Sequence, residues 1–195
     1  MVDSRPIQVV PVDIPLTARL HREAERWAGS ARPTNIVSAG PGQISVWSFP
    51  RPPAVERVLE RVEVHFAGQR IAATDRAVRV CETASPPTYY IPPADVNQEY
   101  FCRDVGESMC EWKGLARYYA LVAGDQRAAQ AAWAYPTPFD EFAMLAGFVS
   151  FYPARVDWCS VGGEIVQPQP GRFYGGWVTG DLTGPFKGEP GSAGW

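Results

Sequence analysis

The sequence has few residues of the kinds that bind metals or form disulfides. It contains two histidines, His21 and His65, in 195 residues. Structural zinc sites use closely spaced pairs of Cys and His. The four cysteines are instead widely separated, at Cys81, Cys102, Cys110 and Cys159. We therefore predict free thiols, with no disulfide scaffold, no metal site and no cofactor.

Strong charge and long apolar runs are also lacking. The net charge is -3 and the isoelectric point is near 5.4, so the clustered positive charge that binds phosphate backbones is missing and we predict no nucleic-acid partner. No stretch reaches the roughly 20 apolar residues that cross a bilayer. Residues 1–10 are too polar and proline-punctuated for a signal peptide. These features predict a cytoplasmic protein without a membrane partner.

Proline and glycine are abundant, with 19 and 18 residues. Helices tolerate such a content poorly, whereas turns between short strands absorb it easily. A chain of this length favours one hydrophobic core with appendages. The composition therefore predicts a mainly β domain.

One amphipathic helix is predicted near the amino terminus, in PLTARLHREAERWAG (residues 15–29). Leu16, Leu20, Ala24 and Trp27 recur there at helical spacing. We expect the charged residues of this helix, Arg19 among them, to form a solvated face. Residues 31–53 are irregular and predict an arm laid on the core.

Alternating patterns predict several strands in the rest of the chain. A hairpin is expected from 62–66 into a strand around Ile71, and further strands at 77–82 and 88–91. Residues 94–108 show no sustained period and are interpreted as a loop with at most one helical turn. Later segments predict a hairpin turning at Gly124 and Asp125, a short core helix in FDEFAMLAG (139–147), a strand in FVSFYP (148–153), and a hairpin turning at Gly162 and Gly163.

Five segments of the chain have distinctive aromatic, proline and glycine patterns: PPTYYIPPADV, CEWKGLARYY, AAWAYPTP, FVSFYP and FYGGWVTGDLTGPFKG. Together they resemble a bacterial family known as domain of unknown function 427. SVWSFPRPP and GPFKGEPGSAGW resemble segments of its longer members. The similarity extends from Ile44 to Trp195. It implies a small antiparallel β-tent-like domain of two sheets with one short core helix.

The resemblance and the element pattern divide the chain into three parts. Residues 1–53 form an N-terminal helix and arm, 54–170 the β-tent-like core, and 171–195 a glycine-rich aromatic tail docked on the core. Relatives of this architecture bind zinc through paired CxxC motifs or reduce methionine sulfoxide, and this chain lacks the matching motifs. The family also carries a nucleotidyltransferase label, but the paired aspartates that would hold two magnesium ions are missing.

The candidate site is centred on CEWKGLARY, residues 110–118. A lysine stem buried among aromatic rings would have a lowered pKa, and its ammonium would favour the thiolate of Cys110. Cys110 and Lys113 are the candidate catalytic residues. The candidate ligand-binding residues are Lys113 again, Glu82, Tyr89, Tyr90, Trp112, Tyr118, Trp133 and Tyr135.

Three hypotheses about function remain open at this point. The first is a β-domain that binds a small anionic or polar metabolite in an aromatic pocket around Lys113. The second is an enzyme that uses Cys110 as nucleophile, activated by Lys113, with Glu82 orienting a proton. The third is an interaction module that contacts a partner protein through its N-terminal helix and aromatic tail.

Overall fold

The computed structural model describes residues 5–195, and the chain is mainly β as predicted. The first eight strands are β1 (Val9–Val12), β2 (Ile44–Ser45), β3 (Ala54–Val58), β4 (Val62–Phe66), β5 (Gln69–Thr74), β6 (Val78–Cys81), β7 (Thr88–Tyr90) and β8 (Phe101–Cys110). The others are β9 (Gly114–Ala123), β10 (Gln126–Ala134), β11 (Val149–Phe151), β12 (Trp158–Val161), β13 (Glu164–Ile165), β14 (Gln167–Pro168), β15 (Trp177–Val178) and β16 (Leu182–Thr183). Helix α1 spans Ala18–Trp27. Within this described range no helix has the length and apolar character needed to cross a membrane.

The strands form three antiparallel four-stranded sheets. Their orders are β1-β3-β6-β7, β11-β10-β9-β8 and β13-β12-β4-β5. Two short pairs, β14 with β15 and the parallel β16 with β2, complete the arrangement. The predicted hairpins β4-β5, β9-β10 and β12-β13 are confirmed. The main chains of Ile91 and Val149 exchange two hydrogen bonds, of 2.8 and 2.9 Å, and thereby join the first sheet to the second.

Alternation along the strands divides the buried side chains into two main clusters. Val62, Val64 and Phe66 are buried on one face of β4, as predicted, in a cluster that also contains Tyr89. Tyr90 is the next residue of β7 and belongs to the second cluster. Neighbouring residues of a strand point to opposite faces, so these two tyrosines serve different cores.

The prediction of a loop over 94–108 is wrong for its second half. Residues 93–95 and 98–100 form two short 3-10 turns, after which β8 pairs with β9. The strand lies at the edge of its sheet, most of its residues are exposed, and its register shifts between Arg103 and Glu107. Gly106 adopts a positive φ of 95° there. An exposed, bulged edge strand leaves no apolar alternation in the sequence to recognise.

The short core helix predicted in FDEFAMLAG is a 3-10 segment over Asp140–Leu145 with a kink at Phe142. Helix α1 begins after Thr17, whose side chain caps it, and it buries Leu20. The expectation that Arg19 lies on a solvated face is wrong. Its guanidinium pairs with Glu141 at 2.8 Å and donates to the main-chain oxygens of Glu111 and Trp112 at 2.7 and 3.0 Å. Arg19 therefore joins α1 to the turn that follows β8.

The Glu141 carboxylate is a pH-sensitive part of this junction. Burial alone would raise its pKa, but hydrogen bonds from Arg19 and Thr17 outweigh burial and lower the pKa from 4.5 to about 2. A carboxylate with a lowered pKa stabilises the folded state above pH 4.5, and this contribution is lost as the pH falls towards 2. We expect Glu141→Gln to lower the free energy of unfolding by about 1–3 kcal/mol at neutral pH. The difference from wild type should shrink below pH 4.5, as measured by urea denaturation across the pH range.

Asp140→Asn is the matched control for that experiment, because Asp140 is the exposed neighbour of Glu141 in the same 3-10 segment. It should change the unfolding free energy by less than about 0.5 kcal/mol. A Glu141→Gln variant whose stability matches wild type at neutral pH would contradict the assigned role.

Candidate functional site

A cavity of about 220 Å³ lies between the first and second sheets. Its floor is aromatic: Tyr90 meets Trp133 edge to face with ring centroids 6.3 Å apart, and Trp133 packs on Tyr152 at 4.6 Å. At roughly 30 Å³ for each water molecule, the space corresponds to about seven waters. It can hold a small metabolite.

Seven of the nine predicted site residues line this cavity. They are Glu82, Tyr90, Cys110, Lys113, Tyr118, Trp133 and Tyr135. Tyr89 and Trp112 do not line it, and both are fully buried elsewhere. Tyr89 stacks on Trp177 with centroids 4.9 Å apart, because alternation turns it away from Tyr90.

The turn between β8 and β9 positions Lys113. Arg19 binds the carbonyls of the two residues before the lysine, and the Phe139 amide donates to the Lys113 carbonyl at 3.1 Å. Gly114 follows with φ of 102°, a conformation that side-chain-bearing residues rarely adopt. Trp112 fills the core beneath the turn. The lysine is thus fixed at its main chain while its side chain faces the cavity.

Lys113 is buried, with 7% of its surface exposed. Among the ion pairs of residues 5–195, none involves this ammonium. Burial by itself lowers the pKa of Lys113, but its neighbours Cys110, Tyr90 and Glu82 outweigh burial and raise the pKa above its usual value. The expectation of a lowered pKa was wrong, because these neighbours can carry negative charge. Lys113 is a buried ammonium at neutral pH.

Four of the cavity's hydroxyl groups are close to this cation or have hydrogen-bond partners in the cavity wall. Burial, with Tyr90 and Cys110 nearby, raises the pKa of Tyr135 well above its usual value, so its hydroxyl stays neutral. The hydroxyls of Ser108 and Tyr118 lie 2.7 Å apart, and Tyr152 donates to the carbonyl of Phe173 at 3.1 Å. Unlike these groups, the fully buried Tyr90 hydroxyl has no hydrogen-bond partner within residues 5–195.

Much of the cavity wall was not predicted from the sequence. It includes Trp27 of α1, Tyr152 after β11, and a group from the C-terminal part of the chain: Gln169, Phe173, Tyr174, Gly175 and Lys187. A Cβ at position 175 would lie 2.4 Å from the Trp133 ring. The main chain at Gly175 therefore packs directly on Trp133. Among these polar residues, Lys187 had the clearest sequence signal, because it lies in the glycine-rich segment GPFKGEPG. That segment lacks the residue order of a phosphate-binding loop, so the sequence did not mark it as a site.

Lys187 is a second ammonium in the cavity wall, but it has partners. It donates to the main-chain oxygen of Trp195 at 2.7 Å and lies 4.6 Å from the ring centroid of Trp27 and 5.3 Å from that of Tyr174. Burial lowers its pKa. Lys187 ties α1 to the C-terminal segment.

The carboxylate of Glu82 is also paired. It accepts a hydrogen bond from Arg51 at 3.0 Å through Oε1, and its role in orienting a proton for Cys110 stays a prediction. Residues 5–195 contain no group of three or more His, Cys, Asp or Glu side chains that could hold a metal ion. The cavity wall offers ammonium, thiol, hydroxyl, carboxylate and aromatic groups.

The comparison with known families agrees with the resemblance noted in the sequence. A family model described as a domain of unknown function (DUF427) matches residues 54–162, more than half of the chain. The chain belongs to this family. A search of curated proteins found no match. The family range contains Lys113, Tyr90 and Trp133, whereas Trp27 and the C-terminal wall of the cavity lie outside it.

Proposed function

We propose that this protein binds a small organic anion in the cavity between its first two sheets, with Lys113 as the counter-ion. The observation that carries this proposal is a buried ammonium without an ion-pair partner among residues 5–195, in the wall of a cavity that is also lined by Tyr90, whose buried hydroxyl has no hydrogen-bond partner in that range. Removing a charge from water is costly unless a partner compensates it. An anionic group of a ligand would supply that partner.

The aromatic side chains indicate a second property of the proposed ligand, a flat apolar group. Small-molecule sites combine mostly apolar walls with a few convergent polar groups. Trp133, Tyr135 and Tyr152 provide flat apolar surface, and Lys113 and Tyr90 provide the polar contacts. A carboxylate joined to a flat apolar group fits this arrangement better than inorganic phosphate does.

The test is a rise in melting temperature with small carboxylates, phosphates and sulfonates, measured for wild type and for Lys113→Met. Ligands that bind only the folded state raise its stability by mass action. We expect at least one organic carboxylate to raise the melting temperature of wild type and not of the variant. If no anion in the panel shifts wild type, the proposal is wrong.

A second candidate function, a thiol enzyme, is favoured by the position of Cys110. This thiol lines the cavity and lies close enough to Lys113 and Tyr135 for hydrogen bonding to affect both of their pKa values. An adjacent ammonium stabilises a thiolate, which is the reactive form of cysteine. The interaction-module hypothesis stays a prediction, although α1 and the tail bury Leu20 and Trp177 in the chain's own core.

Iodoacetamide labelling at neutral pH, followed residue by residue with mass spectrometry, tests the thiol enzyme. Cys81 and Cys159 should stay unlabelled in the folded protein, because burial covers both thiols and raises their pKa values. The exposed Cys102 is an internal standard. An activated Cys110 should react faster than Cys102 although it is less exposed, and Lys113→Met should remove that advantage. A Cys110 rate equal to or below that of Cys102 excludes the activated thiol.

A further inference from the structure

Four charged side chains line the cavity, and two of them, of opposite sign, have neither an ion pair nor a hydrogen bond to an oxygen atom within residues 5–195. One is Lys113, and the other is the half-buried Glu111. Within the same described range, the main-chain oxygen of Glu111 accepts a hydrogen bond from Arg19 at 2.7 Å, and its carboxylate accepts none. The inference drawn from this pair rests on the proposed anion-binding function and makes its ligand more specific.

The other two charged groups of the cavity already have partners. Glu82 is paired with Arg51 at 3.0 Å, and Lys187 is held by the Trp195 main-chain oxygen and by two aromatic rings. A ligand gains little from groups that have partners already. Lys113 and Glu111 are therefore the two charged groups of the cavity that remain for a ligand to pair with.

Lys113 and Glu111 lie two residues apart in the turn between β8 and β9. The neighbours that raise the pKa of Lys113 are Cys110 of the second sheet and Tyr90 and Glu82 beside the first sheet. Glu111 acts together with Glu82 on Tyr174 and Lys187 in the C-terminal wall. A ligand that pairs with both Lys113 and Glu111 must carry a negative charge on one group and a positive charge on another.

Exposed apolar side chains at the mouth of the cavity favour a ligand with an apolar part. Met109 and Phe173 line it and are 67% and 65% exposed, although both are large and apolar. Exposed apolar groups beside a cavity are typical of ligand-binding surfaces. They offer contact to an apolar part of a ligand that the small cavity does not fully enclose.

We propose that the ligand is a zwitterion of about amino-acid size, with its acidic group at Lys113, its cationic group at Glu111 and a flat apolar group against the aromatic wall. The Tyr90 hydroxyl donates to the acidic group. The ligand class thus consists of aromatic α-amino acids and zwitterions of similar shape. A simple carboxylate pairs with Lys113 but leaves Glu111 without a partner.

Isothermal titration calorimetry with three matched probes tests this. L-phenylalanine carries both charges, 3-phenylpropionate carries only the carboxylate, and 2-phenylethylamine carries only the ammonium. A hydrogen bond to a charged group is worth enough to change affinity about tenfold. We expect L-phenylalanine to bind wild type at least about tenfold more tightly than either single-charge probe.

Glu111→Gln isolates the role of the carboxylate. It should weaken L-phenylalanine about tenfold and leave 3-phenylpropionate unchanged, so that the two probes bind alike. Glu25→Gln, an exposed position of α1 that is not part of the cavity wall, makes the same change in net charge and should preserve the preference.

The results separate this inference from the proposed function. If 3-phenylpropionate binds wild type as tightly as L-phenylalanine, the zwitterion inference is wrong and the anion site stands. If Glu111→Gln keeps the preference, the cationic group is recognised elsewhere and the inference is also wrong. If neither probe binds and no anion raises the melting temperature, both proposals fail together.

Discussion

Lys113→Met is expected to abolish anion binding while leaving the fold intact. Removing one partner of a buried, hydrogen-bonded charge pair costs about 2–5 kcal/mol of binding free energy, which corresponds to a loss of affinity of about 30-fold or more. Methionine retains an unbranched apolar stem and can fill the same space. We therefore expect the melting temperature without ligand to stay within a few degrees of wild type. Calorimetric titration and thermal melts of the same preparation measure both effects.

Arg70→Met is the matched control for Lys113→Met. It removes one positive charge from an exposed position of β5 that does not line the cavity. If loss of general positive charge explained the effect, the two variants would bind anions equally weakly. The proposal requires Arg70→Met to bind like wild type, and equal losses in the two variants would refute the role of Lys113.

Trp177→Ala should have the largest effect on stability. Trp177 is fully buried, stacks on Tyr89, and donates from its indole nitrogen to the Phe151 carbonyl at 3.0 Å. Replacing a buried tryptophan with alanine costs about 3–5 kcal/mol. For a chain of this size that loss lowers the melting temperature by about 6–20 °C. Urea and thermal denaturation provide the measurement.

Phe173→Ala is the control for Trp177→Ala, because Phe173 is an aromatic residue of the same C-terminal segment but is largely exposed. Its main-chain oxygen, which accepts from Tyr152, is retained in the variant. We expect a change of less than about 0.5 kcal/mol. Equal effects of the two substitutions would show that the segment contributes as a whole and not through the buried indole.

The regular parts of the fold were predictable from local patterns. β4 alternates apolar and polar residues because one face is buried, and the glycines at 162 and 163 fit the tight turn between β12 and β13. β8 was missed since its chain is exposed on an edge, where burial imposes no pattern. The buried Arg79 in β6 likewise breaks the expected alternation, because Glu56 on the neighbouring strand pairs with it at 2.7 Å.

The candidate site was predictable where the sequence brought its residues together. Cys110, Lys113 and Tyr118 lie within one hairpin, so their proximity follows from local pairing. Which of Tyr89 and Tyr90 faces the cavity depends on the register of β7, and composition does not reveal it. The contributions of Trp27, Tyr152 and Lys187 depend on long-range packing of separate elements, which a single sequence does not display.

The assembly of the cavity wall from distant parts of the chain has a consequence for biosynthesis. Trp27 and Lys187 meet in the folded protein although most of the sequence separates them. Contacts between remote positions form slowly and late. A nascent polypeptide on the ribosome can pair β4 with β5 long before it has a complete binding site. Ligand binding would then require that synthesis has passed Lys187 and that this lysine has packed against Trp27 of α1.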